Sequence, residues 1–131
     1  MKNVFVVDDN PLHANLAAKL IRAVSPESTV SVFHDPFLAL SALLESAPDL
    51  MVLDFMMPKM DGLQLLREVR KKGIMTKTIM VSAFLKEVSA RLLPSNNVSA
   101  VVTKPFAAGD FMRLVSRELG VDDAENICGG R

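Results

Sequence analysis

Residues 50–62 read Leu-Met-Val-Leu-Asp-Phe-Met-Met-Pro-Lys-Met-Asp-Gly, and the fold turns on how they are read. Leu50–Leu53 is an unbroken apolar run, bounded by polar residues, of the length of a strand buried on both faces. It delivers a carboxylate, Asp54, at its C-terminal end. After a loop, Asp61-Gly62 opens an amphipathic helix that closes at Lys71-Lys72-Gly73. Cations in the last turn and a glycine just past it are ordinary helix stop signals. A buried strand, a polar strand end and a helix make one βα unit.

The same unit recurs on both sides of this stretch. Upstream, Val4–Val7 is a strand ending at Asp8-Asp9, and Asn10-Pro11 starts a helix in which Leu12, Leu16, Leu20 and Val24, with Ala and Ile between them, give one broad apolar face. Thr29–Phe33 is a second, β-branched strand, and Asp35-Pro36 opens a helix to about Ser46, blocked by Pro48. Downstream, Thr78–Val81 ends at Ser82 and is followed by a short, weak helix around Lys86–Leu93, broken by Pro94 and Asn96-Asn97. Val98–Val102 is a fifth strand that ends at Thr103-Lys104-Pro105, and a last helix runs from about Ala108 to Leu119 with Phe111, Leu114, Val115 and Leu119 on one face. The pattern is (βα)5. Strands this uniformly apolar imply a parallel sheet with helices on both faces, an α/β doubly wound fold whose site lies at the C-terminal strand ends. Residues 1–120 form the expected domain, and 121–131, acidic and then Gly-rich, the expected mobile tail or start of a linker.

Composition narrows the function. The chain has 131 residues, enough for one well-filled core. Its 15 basic and 15 acidic residues balance, which argues against non-specific nucleic-acid binding and a basic membrane-surface role. No apolar run approaches the ~20 residues of a membrane span, and the N-terminus lacks the pattern of a signal peptide. The single cysteine, Cys128, has no partner for an intramolecular disulfide and fits a reducing, cytoplasmic location.

In a parallel sheet Asp8, Asp9, Asp54, Ser82 and Lys104 all stand at one edge. With the first strand between the second and third, the acidic groups meet at the switch point of the sheet. Crowded carboxylates raise one another's pKa unless a cation neutralises them, and oxygen ligands on a small open site suit Mg²⁺. Lys104 adds positive charge, and the Ser82 hydroxyl is a donor to a phosphoryl oxygen. This layout suits phosphoryl transfer to a carboxylate, where positioning and electrostatics supply most of the catalysis.

The motifs Val6-Val7-Asp8-Asp9-Asn10, Leu53-Asp54-Phe55-Met56-Met57-Pro58, Asp61-Gly62, Val81-Ser82-Ala83 and Thr103-Lys104-Pro105-Phe106 together resemble the receiver domain of two-component response regulators, across Met1–Leu119. The resemblance implies the flavodoxin-like strand order 2-1-3-4-5. It implies that Asp54 is the phosphoacceptor, that Asp9 and the Met56 backbone carbonyl ligate Mg²⁺ directly with Asp54, and that Asp8 does so through water. Ser82 and Lys104 would bind the phosphoryl group, and the bond before Pro105 would be cis. The donor would be a histidine kinase or phosphotransfer protein. The fourth helix, fifth strand and fifth helix, with Lys86, Glu87, Arg91, Arg113 and Arg117, would face a downstream protein. No turnover of an external substrate is implied.

Three positions depart from that family's best-known pattern. Met56 and Phe84 stand where rapidly dephosphorylating members carry polar groups that orient water, so a long-lived acyl phosphate is expected. Val101 stands where many members carry an aromatic switch residue, so the usual aromatic coupling is not expected, and Phe84 is a speculative substitute. These departures keep open a receiver-like interaction module that is never phosphorylated. A flavodoxin is disfavoured because Asp8-Asp9 would repel a flavin phosphate, and an aspartate-nucleophile phosphatase because Met56 replaces its second acid. His13 and His34 read as isolated surface or partly buried residues. Met51 reads as core, and Met56, Met57 and Met60 as shaping the loop at the site.

Overall fold

The computed structural model describes residues 2–92 and 96–121; the expected tail with Cys128, and the helix-breaking Pro94, lie outside the described residues. Five strands and five helices alternate: β1 (Asn3–Val7), α1 (Pro11–Val24), β2 (Thr29–Phe33), α2 (Pro36–Glu45), β3 (Leu50–Asp54), α3 (Gly62–Lys71), β4 (Lys77–Ser82), α4 (Leu85–Arg91), β5 (Ala100–Thr103) and α5 (Ala108–Leu119). The strands form one parallel sheet in the order β2-β1-β3-β4-β5. β1 and β3 are neighbours, with Val7 opposite Leu53, so Asp8 and Asp54 leave the sheet side by side.

Every residue of β3 is buried, as its apolar run requires. Alternate strand residues feed two cores. On one face Val6, Val52 and Val81 pack with Ile21 of α1 and Phe111 and Val115 of α5. On the other, Met51, Leu53 and Met80 pack with Leu43 of α2, Leu66 of α3 and Val88 of α4. Met51 is core as expected. Met57 is core too, and Met60 packs against it, so part of the loop after β3 is anchored from below.

The buried side of α1 is narrower than the broad apolar face read from the sequence. Ala14, Ala17, Ala18, Ile21 and Val24 are buried, whereas Leu12 and Leu16 are 80% and 50% exposed. A strict four-residue spacing advances about 40° per step around a helix, so the leucine row spirals off the stripe that meets the sheet. The small alanines do the packing because they let the helix lie close to the valines of β1 and β3.

Of the helices that start at the functional edge, α1, α2 and α3 are capped by side chains there. Asn10 accepts from the Leu12 and His13 N–H groups, Asp35 from Phe37, and Asp61 and Gln64 form a reciprocal capping box. β5 begins at Ala100, two residues later than the apolar run suggests, because the segment before it turns at Asn97, whose backbone is left-handed (φ 55°). Arg70 fastens that turn: it donates to the carbonyls of Asn96, Asn97 and Ile74 and to Thr78 Oγ1. Burial lowers its pKa without an acidic partner.

Candidate functional site

Asp8 follows β1 directly and Asp54 is the last residue of β3; both are buried, while Asp9 is exposed. Their three carboxylates can place one oxygen each within 4.8 Å of one another. The Asp8 side chain is held at both oxygens: Oδ1 accepts the Asn10 N–H at 2.9 Å, and Oδ2 accepts Lys104 Nζ at 3.0 Å. Lys104 also reaches Asp54 Oδ1 at 3.2 Å. It is aimed there by its backbone, whose N–H donates to the Ser82 carbonyl at 2.9 Å, and by Phe106, which stacks on Phe111 at 4.5 Å between ring centroids. The Lys104–Pro105 bond is cis.

Asp54 is fixed from the opposite side. The Phe55 N–H donates to the Val81 carbonyl at 2.8 Å and the Gly62 N–H to the Phe55 carbonyl at 2.7 Å. A Cβ on Gly62 would run into the Asp54 carbonyl oxygen, so the start of α3 lies directly against the Asp54 backbone. Ser82 is fully buried and its Oγ accepts the Phe84 N–H at 2.8 Å, which leaves the hydroxyl proton for another acceptor. Val101 is partly buried beside Met80 in the sheet.

The electrostatics are those of a carboxylate short of positive charge. Burial, and then the Asp8 charge, push the Asp54 pKa up from 3.8 to about 6 against the pull of Lys104. Burial pulls the Lys104 pKa down; the Asp8 and Asp54 carboxylates outweigh it and hold the Lys104 pKa above the ordinary lysine value. The donor set fits Mg²⁺: oxygen atoms only, carboxylates close enough to share one ion, and a buried acid whose charge a divalent cation would restore. Met56 and Phe84, 51% and 49% exposed, stand at the rim and present apolar side chains to solvent.

Both histidines touch the site, which the sequence reading misses. His34 Nδ1 lies 3.1 Å from the Asp8 carbonyl oxygen and donates to it, and His13 Nδ1 lies 3.0 Å from Lys104 Nζ. Their positions hold the signal. His34 directly follows β2, and His13 sits in the first turn of the helix that follows Asp8-Asp9, both at the edge where the strands end. Beneath Lys104 and His13 lies a cavity of about 330 Å³ floored by Val6, Val52 and Val81. Of the basic residues expected on the α4, β5 and α5 face, Arg113 pairs with Asp110 and Arg117 with Glu118. Arg91 turns toward the acceptor loop: it contacts Asp61 at 3.4 Å and lies 5.1 Å over the Phe55 ring.

A doubly wound parallel sheet in this order, with three carboxylates, a lysine and a buried serine at its carboxyl edge, defines a flavodoxin-like domain of the receiver class. The chain belongs to the response regulator receiver domain family, whose profile matches residues 4–116, and it is a receiver domain of two-component systems. It is 31% identical over 118 residues to the transcriptional regulatory protein TrcR of Mycobacterium tuberculosis, covering 90% of this chain and 44% of that protein. It is 33% identical over 104 residues to a protein-glutamate methylesterase/protein-glutamine glutaminase of Treponema denticola, covering 78% of this chain and 28% of that protein. The receiver domain of the Francisella response regulator 1452 superposes with a TM-score of 0.78 at 25% identity, covering 92% of this chain and 98% of that one. The chain thus spans between about a quarter and a half of the length of the curated relatives it matches. No helix among the described residues is long and apolar enough to cross a membrane.

Proposed function

We propose that the domain is a phosphorylation switch in which Asp54 accepts a phosphoryl group from a phosphohistidine on a kinase or phosphotransfer protein. One observation carries the reading: Lys104, from the far side of the sheet, reaches both Asp8 and Asp54 at the point where three carboxylates converge. A lysine holding two acids would be satisfied anywhere; a third acid beside them leaves negative charge that only an added cation offsets. Asp9, Asp54 and the Met56 carbonyl would hold Mg²⁺ directly and Asp8 through water. The ion, when bound, neutralises the acids so that a phosphoryl group can approach.

The chain's own groups do the rest. A carboxylate oxygen of Asp54 forms the new O–P bond while the donor's N–P bond breaks, and the donor imidazole departs with the electron pair. The Lys104 ammonium and the Ser82 hydroxyl donate to phosphoryl oxygens. The change in charge at Asp54 passes to a downstream partner through the α4, β5 and α5 face, and Arg91 supports this route because it ties α4 to Phe55 and Asp61 in the acceptor loop. Turnover of an external substrate is no part of this reading.

Incubation with acetyl phosphate and Mg²⁺, followed by intact-protein mass spectrometry, tests it. The expected result is one added phosphoryl group on the wild type and none on Asp54→Asn. Equal labelling of both would refute Asp54 as the acceptor.

A further inference from the structure

The Lys104 ammonium has three N–H bonds and three acceptors within reach: Asp8 Oδ2 at 3.0 Å, Asp54 Oδ1 at 3.2 Å and His13 Nδ1 at 3.0 Å. The two carboxylates belong to the acceptor site; the imidazole stands beside it. An ammonium only donates, so in this pair His13 is the acceptor. Its Nδ1 is bare, and the proton of the neutral ring is on Nε2. The charged groups that line the same cavity as His13 are Asp8, Asp54 and Lys104 itself.

We infer that His13 is a positioning residue for phosphoryl transfer, taking the third N–H of Lys104 and thereby fixing where the ammonium sits relative to Asp54. The inference rests on Asp54 being the phosphoacceptor. A lysine side chain is a flexible stem carrying three rotatable donors. Two carboxylates define a line along which, and about which, the ammonium can move; a third acceptor off that line removes the freedom. His13 is itself held to do this. Its backbone N–H donates to the Asn10 cap at 3.2 Å, in a helix anchored to the sheet by buried Ala14 and Ala17. Lys104 is tied at its own backbone to Ser82.

The arrangement also has a consequence after transfer. Once the phosphoryl group occupies an Asp54 oxygen, one Lys104 N–H passes from Asp54 to a phosphoryl oxygen, while Asp8 and His13 keep the other two. The ammonium therefore starts and ends the transfer in one orientation, which is the kind of preorganisation that lowers a barrier without cost at the moment of reaction.

The variants His13→Ala and His13→Asn test this. The Asn amide oxygen stands roughly where Nδ1 stands and accepts a hydrogen bond; Ala offers none. The rate of phosphoryl incorporation from acetyl phosphate with Mg²⁺ is expected to fall about tenfold in His13→Ala and to return most of the way in His13→Asn. A second readout needs neither metal nor phosphate. The nitrogen NMR signal of the Lys104 ammonium, its protons protected from solvent exchange, is expected in metal-free wild type and His13→Asn and is expected to be lost in His13→Ala. Ala as fast as wild type, Asn as slow as Ala, or an ammonium signal unchanged by Ala would each overturn the inference while leaving the acceptor reading intact. Failure of the wild type itself to take up a phosphoryl group would overturn both.

Discussion

As the proposed phosphoacceptor, Asp54 would carry two opposed demands: burial at the sheet edge near Lys104, and enough ionisation to attack phosphorus. Burial and Asp8 raise its pKa to about 6, so at neutral pH it is a carboxylate with a basicity above that of an ordinary aspartate. In the proposed switch, the lifetime of the phosphorylated state would depend on the rim. Met56 and Phe84 offer no polar atom in their side chains to orient a water toward the acyl phosphate. Met56→Asn supplies one and is expected to shorten the phosphoryl lifetime about tenfold, the scale of a single water-orienting group. Decay of the phosphorylated species by intact mass in Mg²⁺ buffer measures this, and an unchanged lifetime would remove Met56 from the account. Of these residues, Asp8, Asp9, Asp54, Ser82 and Lys104 are legible in the sequence because each stands at the end of an apolar run. His13 and His34 are not: their partners lie 91 and 26 residues away, and only the finished sheet edge brings them together.

Elements position these residues through a few close backbone approaches. Gly62 is the tightest, because the first turn of α3 rests on the carbonyl of Asp54 and leaves no room for a side chain. Gly62→Ala must push the start of α3 away from β3. It is expected to cost about 1–3 kcal/mol in urea unfolding, as overpacking does, and to slow phosphorylation because the acceptor is displaced. Wild-type stability and rate in this variant would contradict that role. At this scale the sequence is legible where hydrophobic runs are continuous: β2 and α5 lie on the expected residues. It is less so where a helix packs through small residues. On α1 the broad apolar face takes in Leu12 and Leu16, which are exposed, as well as Ala14, Ala17 and Ala18, which are buried, because alanine contributes closeness and little hydrophobic signal to tell the two apart.

Across the whole molecule, stability and function are linked through the acidic edge. An acid whose pKa is higher in the folded than in the unfolded state binds its proton more tightly when folded. The stability contribution of Asp54 is therefore most favourable at acid pH, and declines as pH rises from its ordinary value of 3.8 through about 6. Metal-free Asp54→Asn is expected to be more stable than metal-free wild type at neutral pH by about 2 kcal/mol, and to lose that advantage near pH 4. Mg²⁺ should narrow the neutral-pH gap by stabilising the wild type. Urea unfolding of both proteins with EDTA and with Mg²⁺ reads all three effects, and a destabilised Asp54→Asn would contradict the charge balance described. The strand order, with β1 between β2 and β3, is legible through the receiver motifs, since right-handed crossovers alone leave several arrangements of five strands open. The tie from α4 to the acceptor loop is not, since nothing in the local pattern of Arg91 distinguishes it from Lys86 or Arg113.

In the proposed switch, acids from two adjacent strands and a lysine from a third assemble so that one of the acids, Asp54, becomes the nucleophile. The direct test is to phosphorylate the protein with Mg²⁺ and a phosphoryl donor, reduce the acyl phosphate with borohydride, and map the modified residue by peptide mass spectrometry. Homoserine at position 54 alone is the predicted result. Homoserine at position 8 or 9, or label that survives on Asp54→Asn, would contradict it.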